Sequence, residues 1–307
     1  MTTKHSSTVG NAPVMEPQQA STTPASVPAV VGVLGGGRMG AGIAHAFLLA
    51  GARVTVVERD GQAGQAARER VERDLAKSLE RGSVDGNLDE WAENLTVSLD
   101  HADLAGCELV VEAVPEVWDL KVTALQEVER HLGDTAWLAT NTSSLSVDGL
   151  AEQLQRPERF CGLHFFNPVP ASKLVEVVIS KHTGEELKKL SVQWVEGLGK
   201  TPVVVNDAPG FASSRLGVAI ALEAIRMVEE GVASPADIDN AMVLGYKFPV
   251  GPLALTDIVG LDVRLGIAEY LESTLGERFA PPQLMRDMVA RGELGRKTGK
   301  GFFDYEQ

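Results

Sequence analysis

The sequence predicts a protein of two domains, an open α/β sheet domain followed by an all-helical domain. Short apolar runs alternate with helical segments over roughly residues 29–206, as in a parallel sheet that helices cover on both faces. After residues 207–210 the apolar periodicity is helical throughout. A chain of 307 residues is long enough to enclose two cores, and we expect the domains at residues 29–207 and 208–307.

The first 28 residues have a different composition from the rest of the chain. They are rich in Thr, Ser, Pro, Ala and Gln and contain almost no large apolar residue. Such a segment buries too little surface to offset the entropy of ordering it, so we expect a disordered tail over residues 1–28. It lacks the apolar core of a secretory signal and the Arg-rich pattern of a transit peptide.

The sheet domain opens with a strand, a glycine turn, a helix and a second strand. Apolar residues 29–34 predict the first strand, residues 38–50 a helix of small residues, and residues 54–57 the second strand. The same alternation predicts helices near residues 63–81 and 120–131, and strands at residues 109–114, 136–140, 160–165, 174–179 and 203–205.

The helical domain has its own start and stop signals. Residues 211–230 form a long amphipathic pattern that ends at Gly231. Ser234 and Pro235 are typical of an N-cap and a first helical position. Further helices are predicted at residues 260–275 and 282–291. We expect an isologous dimer, since these helices are too few to enclose Leu216, Ile220, Ile225 and Val228 within one chain.

Composition excludes several classes of protein. Asp and Glu number 42 against 28 Lys and Arg, a net charge of −14, which disfavours a nucleic-acid partner. No apolar run approaches the ~20 residues that a membrane span needs. Two cysteines, Cys107 and Cys161, provide neither a disulfide framework nor a metal cluster. We therefore predict no metal site and a cytoplasmic location, with both thiols in the core.

The motif Gly35-x-Gly37-x-x-Gly40 follows the first strand and opens the first helix. In that context it is typical of a Rossmann-type dinucleotide site, where glycines allow a tight turn and the close approach of a pyrophosphate. Arg38 and Met39 lie inside the motif, and we expect all five residues to contact the cofactor. The alternative is a structural turn that binds no ligand.

Glu58 closes the second strand, 18 residues beyond Gly40. A carboxylate at this position accepts hydrogen bonds from the adenosine ribose and repels a 2′-phosphate. We therefore predict NAD, with NADP less favoured. Arg59 is the counter-argument, because an arginine here accommodates the extra phosphate.

His164 ends one apolar strand, and Glu176 lies within the next. A carboxylate in an apolar strand needs a partner, and an imidazole N–H is a suitable one. The pair would form an acid/base group poised near neutral pH. A histidine of purely structural function is the alternative. A third cluster, the polar run 140–144, follows a strand and forms either a ligand site or a helix N-cap.

Together these residues resemble the short-chain L-3-hydroxyacyl-CoA dehydrogenase family over residues 29–307. The motifs that carry the resemblance are Gly35–Gly42, Val111-Glu112-Ala113-Val114 with Glu116 and Lys121, Asn141-Thr142-Ser143-Ser144, His164-Phe165-Phe166-Asn167-Pro168-Val169-Pro170, Lys173-Leu174-Val175-Glu176-Val177, Pro209-Gly210-Phe211, and Gly295-Arg296-Lys297-Thr298-Gly299-Lys300-Gly301-Phe302.

The resemblance implies roles for particular residues. His164 would be the general acid/base, oriented by Glu176, while Ser143 would bind the reacting oxygen and Asn167 would help hold the site. The implied cofactor contacts are Glu116, Lys121, Asn141 and Lys297. Arg81 would lie near coenzyme A, and Asp74 stands where the family has a substrate-contacting serine. Ser214 replaces the family asparagine before Arg215, and we expect it to tune substrate range.

The resemblance implies NAD-dependent interconversion of a 3-hydroxyacyl-CoA, 3-hydroxybutyryl-CoA foremost, and its 3-ketoacyl-CoA by a homodimer. Two alternatives stay open from the sequence: a hydroxy-acid or sugar-acid dehydrogenase that does not use coenzyme A, and a non-catalytic binding protein on the same fold.

Overall fold

A computed structural model describes residues 26–306 of the chain. The predicted disordered tail, residues 1–28, lies outside the described residues except for its last three. Within the described range the chain forms eight strands and eleven helices, besides several short turns of helix. The α/β domain with a following helical domain is as predicted.

All eight strands belong to one sheet. Their bounds are β1 Val30–Leu34, β2 Arg53–Val57, β3 Leu95–Ser98, β4 Leu109–Glu112, β5 Trp137–Thr140, β6 Phe160–Phe165, β7 Leu174–Ile179 and β8 Thr201–Asn206. The order across the sheet is β3-β2-β1-β4-β5-β6-β7-β8. Neighbouring strands are parallel except β6 and β7. The chain leaves β1 toward β2 and later returns to its other side as β4, so the topological switch point lies between β1 and β4.

The first six helices accompany the sheet, and the last five form the second domain. Their bounds are α1 Arg38–Leu49, α2 Gly61–Glu80, α3 Leu88–Glu93, α4 Trp118–His131, α5 Val147–Ala151, α6 Glu185–Gly197, α7 Ser213–Glu229, α8 Pro235–Asn240, α9 Pro252–Val259, α10 Leu261–Leu275 and α11 Gln283–Ala290. The predicted N-cap of α8 is confirmed, because the Ser234 side chain accepts from the Asp237 N–H.

Two apolar clusters flank the sheet, and a third fills the helical domain. Val31, Val33 and Val111 are fully buried on one side of the sheet, as expected for strands covered on both faces. Cys107 and Cys161 are buried as predicted, and burial raises their thiol pKa values to about 11 and about 12. No helix among residues 26–306 combines the length and apolarity needed to cross a bilayer.

Two expectations from the sequence need correction. Ile225, expected on an unenclosed apolar surface, is fully buried within its own chain, because α10 and α11 pack against α7. Leu216 does stay 63% exposed. The helix predicted from residue 211 begins only at Ser213, because Phe211 has a left-handed backbone with φ of 48°.

Candidate active site

The glycine turn lies at the carboxyl end of β1, beside the switch point. Gly35 has φ of 90°, a conformation that glycine adopts at little cost. A Cβ at Gly40 would lie 1.8 Å from the Gly35 carbonyl oxygen, so only glycine lets α1 pack this closely on the turn. By contrast, a Cβ at Gly37 would meet no protein atom within 4 Å. The turn thus presents open backbone at the N-terminus of α1, which suits a phosphate.

Glu58 stands beside this turn, at the end of β2. Its Oε1 accepts a hydrogen bond of 2.7 Å from the Gly36 N–H, and its Oε2 accepts one from the Arg59 N–H. The Arg59 side chain is exposed and pairs with Asp60 at 3.0 Å. The carboxylate is therefore fixed at the cleft, whereas the neighbouring guanidinium is occupied by another partner.

His164 and Glu176 are directly opposite each other in the antiparallel pair β6–β7. Opposed residues of such a pair share one face of the sheet. His164 Nδ1 lies 2.8 Å from Glu176 Oε2, and both residues are buried, with 6% and 0% of their surface exposed. The pairing predicted from the sequence is confirmed. Since Nδ1 contacts Glu176, the other ring nitrogen, Nε2, is the one that can contact a substrate.

Glu176 is also bound by the start of α7, which belongs to the helical domain. The N–H groups of Ala212 and Ser213 donate to Oε1 at 3.1 and 2.8 Å, and the Ser213 hydroxyl donates to Oε2 at 2.7 Å. Burial disfavours the carboxylate, but hydrogen bonds from His164 and Ser213 outweigh it and lower the pKa of Glu176. Sequence reasoning missed Ser213, whose only signal is a hydroxyl next to Ser214 at a helix start.

Lys121 is a buried cation in the wall of the cleft, with 1% of its surface exposed. Its ammonium group lies 2.7 Å from Glu112 Oε1, 3.2 Å from the Val114 carbonyl oxygen and 3.3 Å from Glu116 Oε2. The first two contacts are hydrogen bonds and the third is an ion pair, so the ammonium group has three oxygen partners within the protein. Lys121 therefore holds Glu116 in place from beneath.

Glu116 in turn organises the polar run after β5. Its Oε1 accepts from the Thr142 hydroxyl at 2.6 Å and from the Ser143 and Ser144 N–H groups at 2.8 and 3.1 Å. Burial opposes its ionisation, but Lys121 and these donors prevail and lower the pKa of Glu116. The Ser143 hydroxyl lies 3.3 Å from the same oxygen, which shows how this loop fixes the position of Ser143.

One large cleft of about 1950 Å³ joins these features. It exceeds the ~300–1,000 Å³ of an ordinary small-molecule pocket, which fits two extended ligands. Both domains line it. Residues predicted from the sequence that line it are Gly35, Gly37, Arg38, Met39, Glu58, Glu116, Lys121, Asn141, Ser143, His164, Asn167 and Ser214.

Other residues predicted for the site lie elsewhere in the described part of the chain. Glu176 and Gly40 lie behind the lining, against His164 and the glycine turn. Asp74 and Arg81 are in the last two turns of α2 and at its C-cap, beyond the part of that helix that lines the cleft. Lys297 pairs with Asp262 at 2.5 Å in the helical domain. The structure thus brings together the predicted centre but not these three outer residues.

Fold and site together define a nucleotide-dependent oxidoreductase. A glycine turn at the switch point suits a dinucleotide, and a buried histidine–carboxylate pair in the same cleft suits proton transfer. Residues 30–208 match the family described as 3-hydroxyacyl-CoA dehydrogenase, NAD binding domain, and residues 210–305 match its C-terminal domain. The chain belongs to the 3-hydroxyacyl-CoA dehydrogenase family, whose members are oxidoreductases acting on CH–OH groups.

Individual relatives are similar over nearly their whole length. The 3-hydroxybutyryl-CoA dehydrogenase of Mycobacterium tuberculosis is 40% identical over 279 residues, which are 90% of this chain and 98% of that one. The mitochondrial hydroxyacyl-coenzyme A dehydrogenase of Rattus norvegicus is 38% identical over 285 residues, covering 90% and 91%. The crystal structure of (S)-3-hydroxybutyryl-CoA dehydrogenase from Ralstonia eutropha matches with a TM-score of 0.87 and 36% identity, covering 91% and 100%.

Proposed function

We propose that this enzyme interconverts L-3-hydroxyacyl-CoA and 3-ketoacyl-CoA with NAD, and that 3-hydroxybutyryl-CoA is its main substrate. The observation that carries the proposal is the buried His164–Glu176 pair in the cleft that the glycine turn also lines. The relatives named for 3-hydroxybutyryl-CoA support the short acyl chain.

The residues at the carboxyl edge of the sheet fit a dinucleotide. Gly35, Gly37 and the N–H groups that open α1 would hold the pyrophosphate, and Glu58 would bind the adenosine ribose. When bound, NAD supplies the hydride chemistry. Glu116, Lys121 and Asn141 would support the nicotinamide half, with Lys121 acting through Glu116 because its own protons already have partners.

The protein supplies position and proton transfer. In oxidation, Nε2 of His164 takes the proton from the substrate hydroxyl at C3 as the carbonyl forms. In reduction, the imidazolium donates that proton back to the ketone oxygen. Glu176 holds the ring through Nδ1 and stabilises the imidazolium. Ser143 would donate to the reacting oxygen by turning its hydroxyl away from Glu116 Oε1, to which it makes a long contact of 3.3 Å. Asn167 would help to hold the substrate.

The experiment that tests this function is a reduction assay with NADH and three substrates. We expect turnover of acetoacetyl-CoA and none of free acetoacetate or a keto sugar acid. Equal activity with free acetoacetate would instead assign a hydroxy-acid dehydrogenase that does not use coenzyme A. No turnover of any substrate, with NADH binding intact, would assign a binding protein.

The cofactor preference follows from Glu58. Its carboxylate is fixed by the Gly36 N–H, and a 2′-phosphate would bring a second anion against it. We expect kcat/KM for NADH to exceed that for NADPH by at least about tenfold, or about 1.4 kcal/mol. Steady-state kinetics with both cofactors measure the ratio. Equal values would contradict the assignment and implicate Arg59.

We also propose that the enzyme is a cytoplasmic homodimer with an acyl-CoA substrate. Two buried cysteines without a disulfide fit a reducing compartment. In the helical domain, Leu216, Val232, Leu244 and Tyr246 expose 59–75% of their surfaces. Apolar side chains on one domain favour an interface between copies.

A further inference from the structure

Arg264 is a buried arginine that faces the cleft from the helical domain. It lies in the first turn of α10, keeps 7% of its surface exposed and lines the same cleft as His164. Arginine is almost never buried unless its charge is paired. Its position therefore calls for a partner that offsets the charge.

Within the described residues the guanidinium has no partner for its charge. Nε is buried there without a hydrogen-bond acceptor, although a planar guanidinium offers five donors. Burial lowers the pKa of Arg264 to about 10, so the side chain still carries its charge at neutral pH. A largely buried cation without an ion-pair partner is costly, and an anion bound in the cleft would offset this cost.

The guanidinium packs against α7 one helical turn beyond the residue of α7 that binds Glu176. A Cβ at Gly217 would approach Arg264 Nη1 to 3.0 Å, so Nη1 packs against α7 at that residue. Gly217 is four residues beyond Ser213, whose hydroxyl binds Glu176. Residues four apart share a helix face and are separated by about 6 Å of rise. Arg264 and the pair therefore lie along one face of α7.

The surroundings of Arg264 suit an alkyl chain. On the side of the helical domain, the cleft is lined by apolar residues of α9 and α10, namely Leu255, Ile258, Val259, Val263 and Ile267. Leu255, Ile258, Val259 and Val263 expose 38–46% of their surfaces. A chain of methylenes would cover this wall, and an anion at its end would meet the guanidinium in apolar surroundings, where charge-assisted bonds are strong.

We propose that Arg264 forms a carboxylate subsite, so that the enzyme accepts 3-hydroxyacyl-CoA substrates whose acyl chain ends in a carboxylate. The proposal rests on the proposed function, which places the acyl group beside His164. Arg264 is a specificity-determining residue in this scheme, and the proton chemistry stays with His164.

The test compares two 3-ketoacyl-CoA substrates of six carbons, one ending in a carboxylate and one, 3-oxohexanoyl-CoA, ending in a methyl group. In Arg264→Met we expect kcat/KM for the carboxylate substrate, divided by kcat/KM for 3-oxohexanoyl-CoA, to fall at least about tenfold. Arg264→Lys keeps the charge but loses the planar guanidinium that can donate two parallel hydrogen bonds to a carboxylate. Its ratio should lie between those of the wild type and Arg264→Met. The matched control is Arg226→Met, since Arg226 belongs to the same domain but is satisfied by Glu223 and the Ala280 carbonyl. Its ratio should equal that of the wild type.

A phosphate of coenzyme A is the other anion that could reach Arg264. In that case Arg264→Met would lower kcat/KM equally for both CoA thioesters but not for the N-acetylcysteamine thioester of 3-oxohexanoate, and our proposal would be overturned. An unchanged ratio, or a wild type that rejects the carboxylate substrate while it reduces 3-oxohexanoyl-CoA, would also overturn it. A wild type inactive on both CoA thioesters would overturn the proposed function as well.

Thermal unfolding gives a second readout that does not depend on activity. Removal of an unpaired buried charge should raise the Tm of the ligand-free protein in Arg264→Met, whereas Arg226→Met should not raise it. A lower Tm in Arg264→Met would show that the guanidinium stabilises the fold, which contradicts a charge kept for a ligand.

Discussion

Glu176 joins the two domains through a single carboxylate. Oε2 accepts from His164 of the sheet domain and from the Ser213 hydroxyl, and Oε1 accepts from two N–H groups at the start of α7. Each donor stabilises the ionised form at a buried position where it would otherwise be costly. The orientation of the histidine ring therefore depends on how the helical domain is docked.

His164→Gln tests the proton-transfer role. Glutamine keeps polarity near the ring position but cannot exchange a proton near neutral pH. We expect kcat to fall by roughly 10²–10⁴, with NADH affinity little changed in a fluorescence titration because the glycine turn is untouched. Glu176→Gln should also be severe, since a neutral amide no longer stabilises the imidazolium. Near-normal turnover of His164→Gln would return the residue to a structural function.

Ser213→Ala tests whether a hydroxyl tunes the pair. Loss of this donor raises the pKa of Glu176 and leaves a carboxylate that attracts the imidazolium more strongly. The imidazolium is the acid in reduction, so activity is lost as pH rises through the apparent pKa of the pair. We expect this basic limb of the kcat/KM profile to move up by about 0.3–1 pH unit, from a bond worth about 0.5–1.5 kcal/mol.

Two further variants separate tuning from damage to the fold. Ser213→Thr keeps the hydroxyl, so the basic limb of its kcat/KM pH profile should lie at the wild-type pH. Ser273→Ala removes a hydroxyl that donates to the Tyr270 carbonyl, away from the cleft, and should leave the limb in place. If the basic limb does not move in Ser213→Ala, the N–H groups of Ala212 and Ser213 are sufficient to keep Glu176 ionised.

At the scale of elements, the start of α7 carries the departure from the family pattern. Ser214 lies in the first turn and lines the cleft. A serine hydroxyl reaches less far than an asparagine amide and offers fewer groups. We expect Ser214→Ala to change kcat/KM less than about tenfold, and Ser214→Asn to shift relative rates on short and longer acyl chains. Chain-length kinetics measure both, and an unaltered profile in Ser214→Asn would remove this residue from the site.

Elements with strong apolar patterns were predictable from the sequence. β6 and β7 have the predicted bounds, because two apolar hexapeptides each contain one polar residue that stands out. The sequence did not provide bounds for α3, β3, α5, α6 and α9. α6 is the exception, because it has 13 residues and its buried residues recur at helical spacing, a pattern that was overlooked. The other four are short, such as the apolar α9, of which only half is buried. Their formation depends on tertiary packing that no local pattern displays.

The centre of the site was predictable for the same reason. Glu176 is conspicuous in an apolar strand, and three glycines at this spacing between a strand and a helix are typical of a dinucleotide turn. Ser213 and Arg264 were not predictable, since a serine at a helix start and an arginine in an amphipathic helix are ordinary in sequence. Their significance comes from distances across elements, 2.7 Å from Ser213 to Glu176 and 3.0 Å from Arg264 Nη1 to a Cβ at Gly217.

At the scale of the molecule, the cleft lies between a sheet that carries the chemistry and helices that complete it. The sheet domain alone contains His164, Glu176 and the glycine turn, but donors to Glu176 and the Arg264 subsite come from the helical domain. Any contact that stabilises the helical domain therefore also supports the active site. A dimer interface on the helical domain would be such a contact.

We expect the enzyme to form a homodimer through its helical domain. Leu216 of α7 is 63% exposed, whereas Ile225 of the same helix is fully buried. The helical domain therefore exposes apolar surface, but less of it than the sequence predicts. A stable interface needs about 800 Å² from each copy. Light scattering at micromolar concentration should give about twice 32.7 kDa. Leu216→Asp should shift the mass toward the monomer, because a buried charge opposes association.

Val204→Asp is the matched control for that substitution. Val204 is 55% exposed on the edge strand β8, in the other domain, and a charge there should leave the dimer intact. Removal of residues 1–28 should leave both the dimer and the activity unchanged, since their composition provides little apolar surface. A wild type that scatters as a monomer would refute the assembly. Dissociation by Val204→Asp but not by Leu216→Asp would move the interface to the sheet domain.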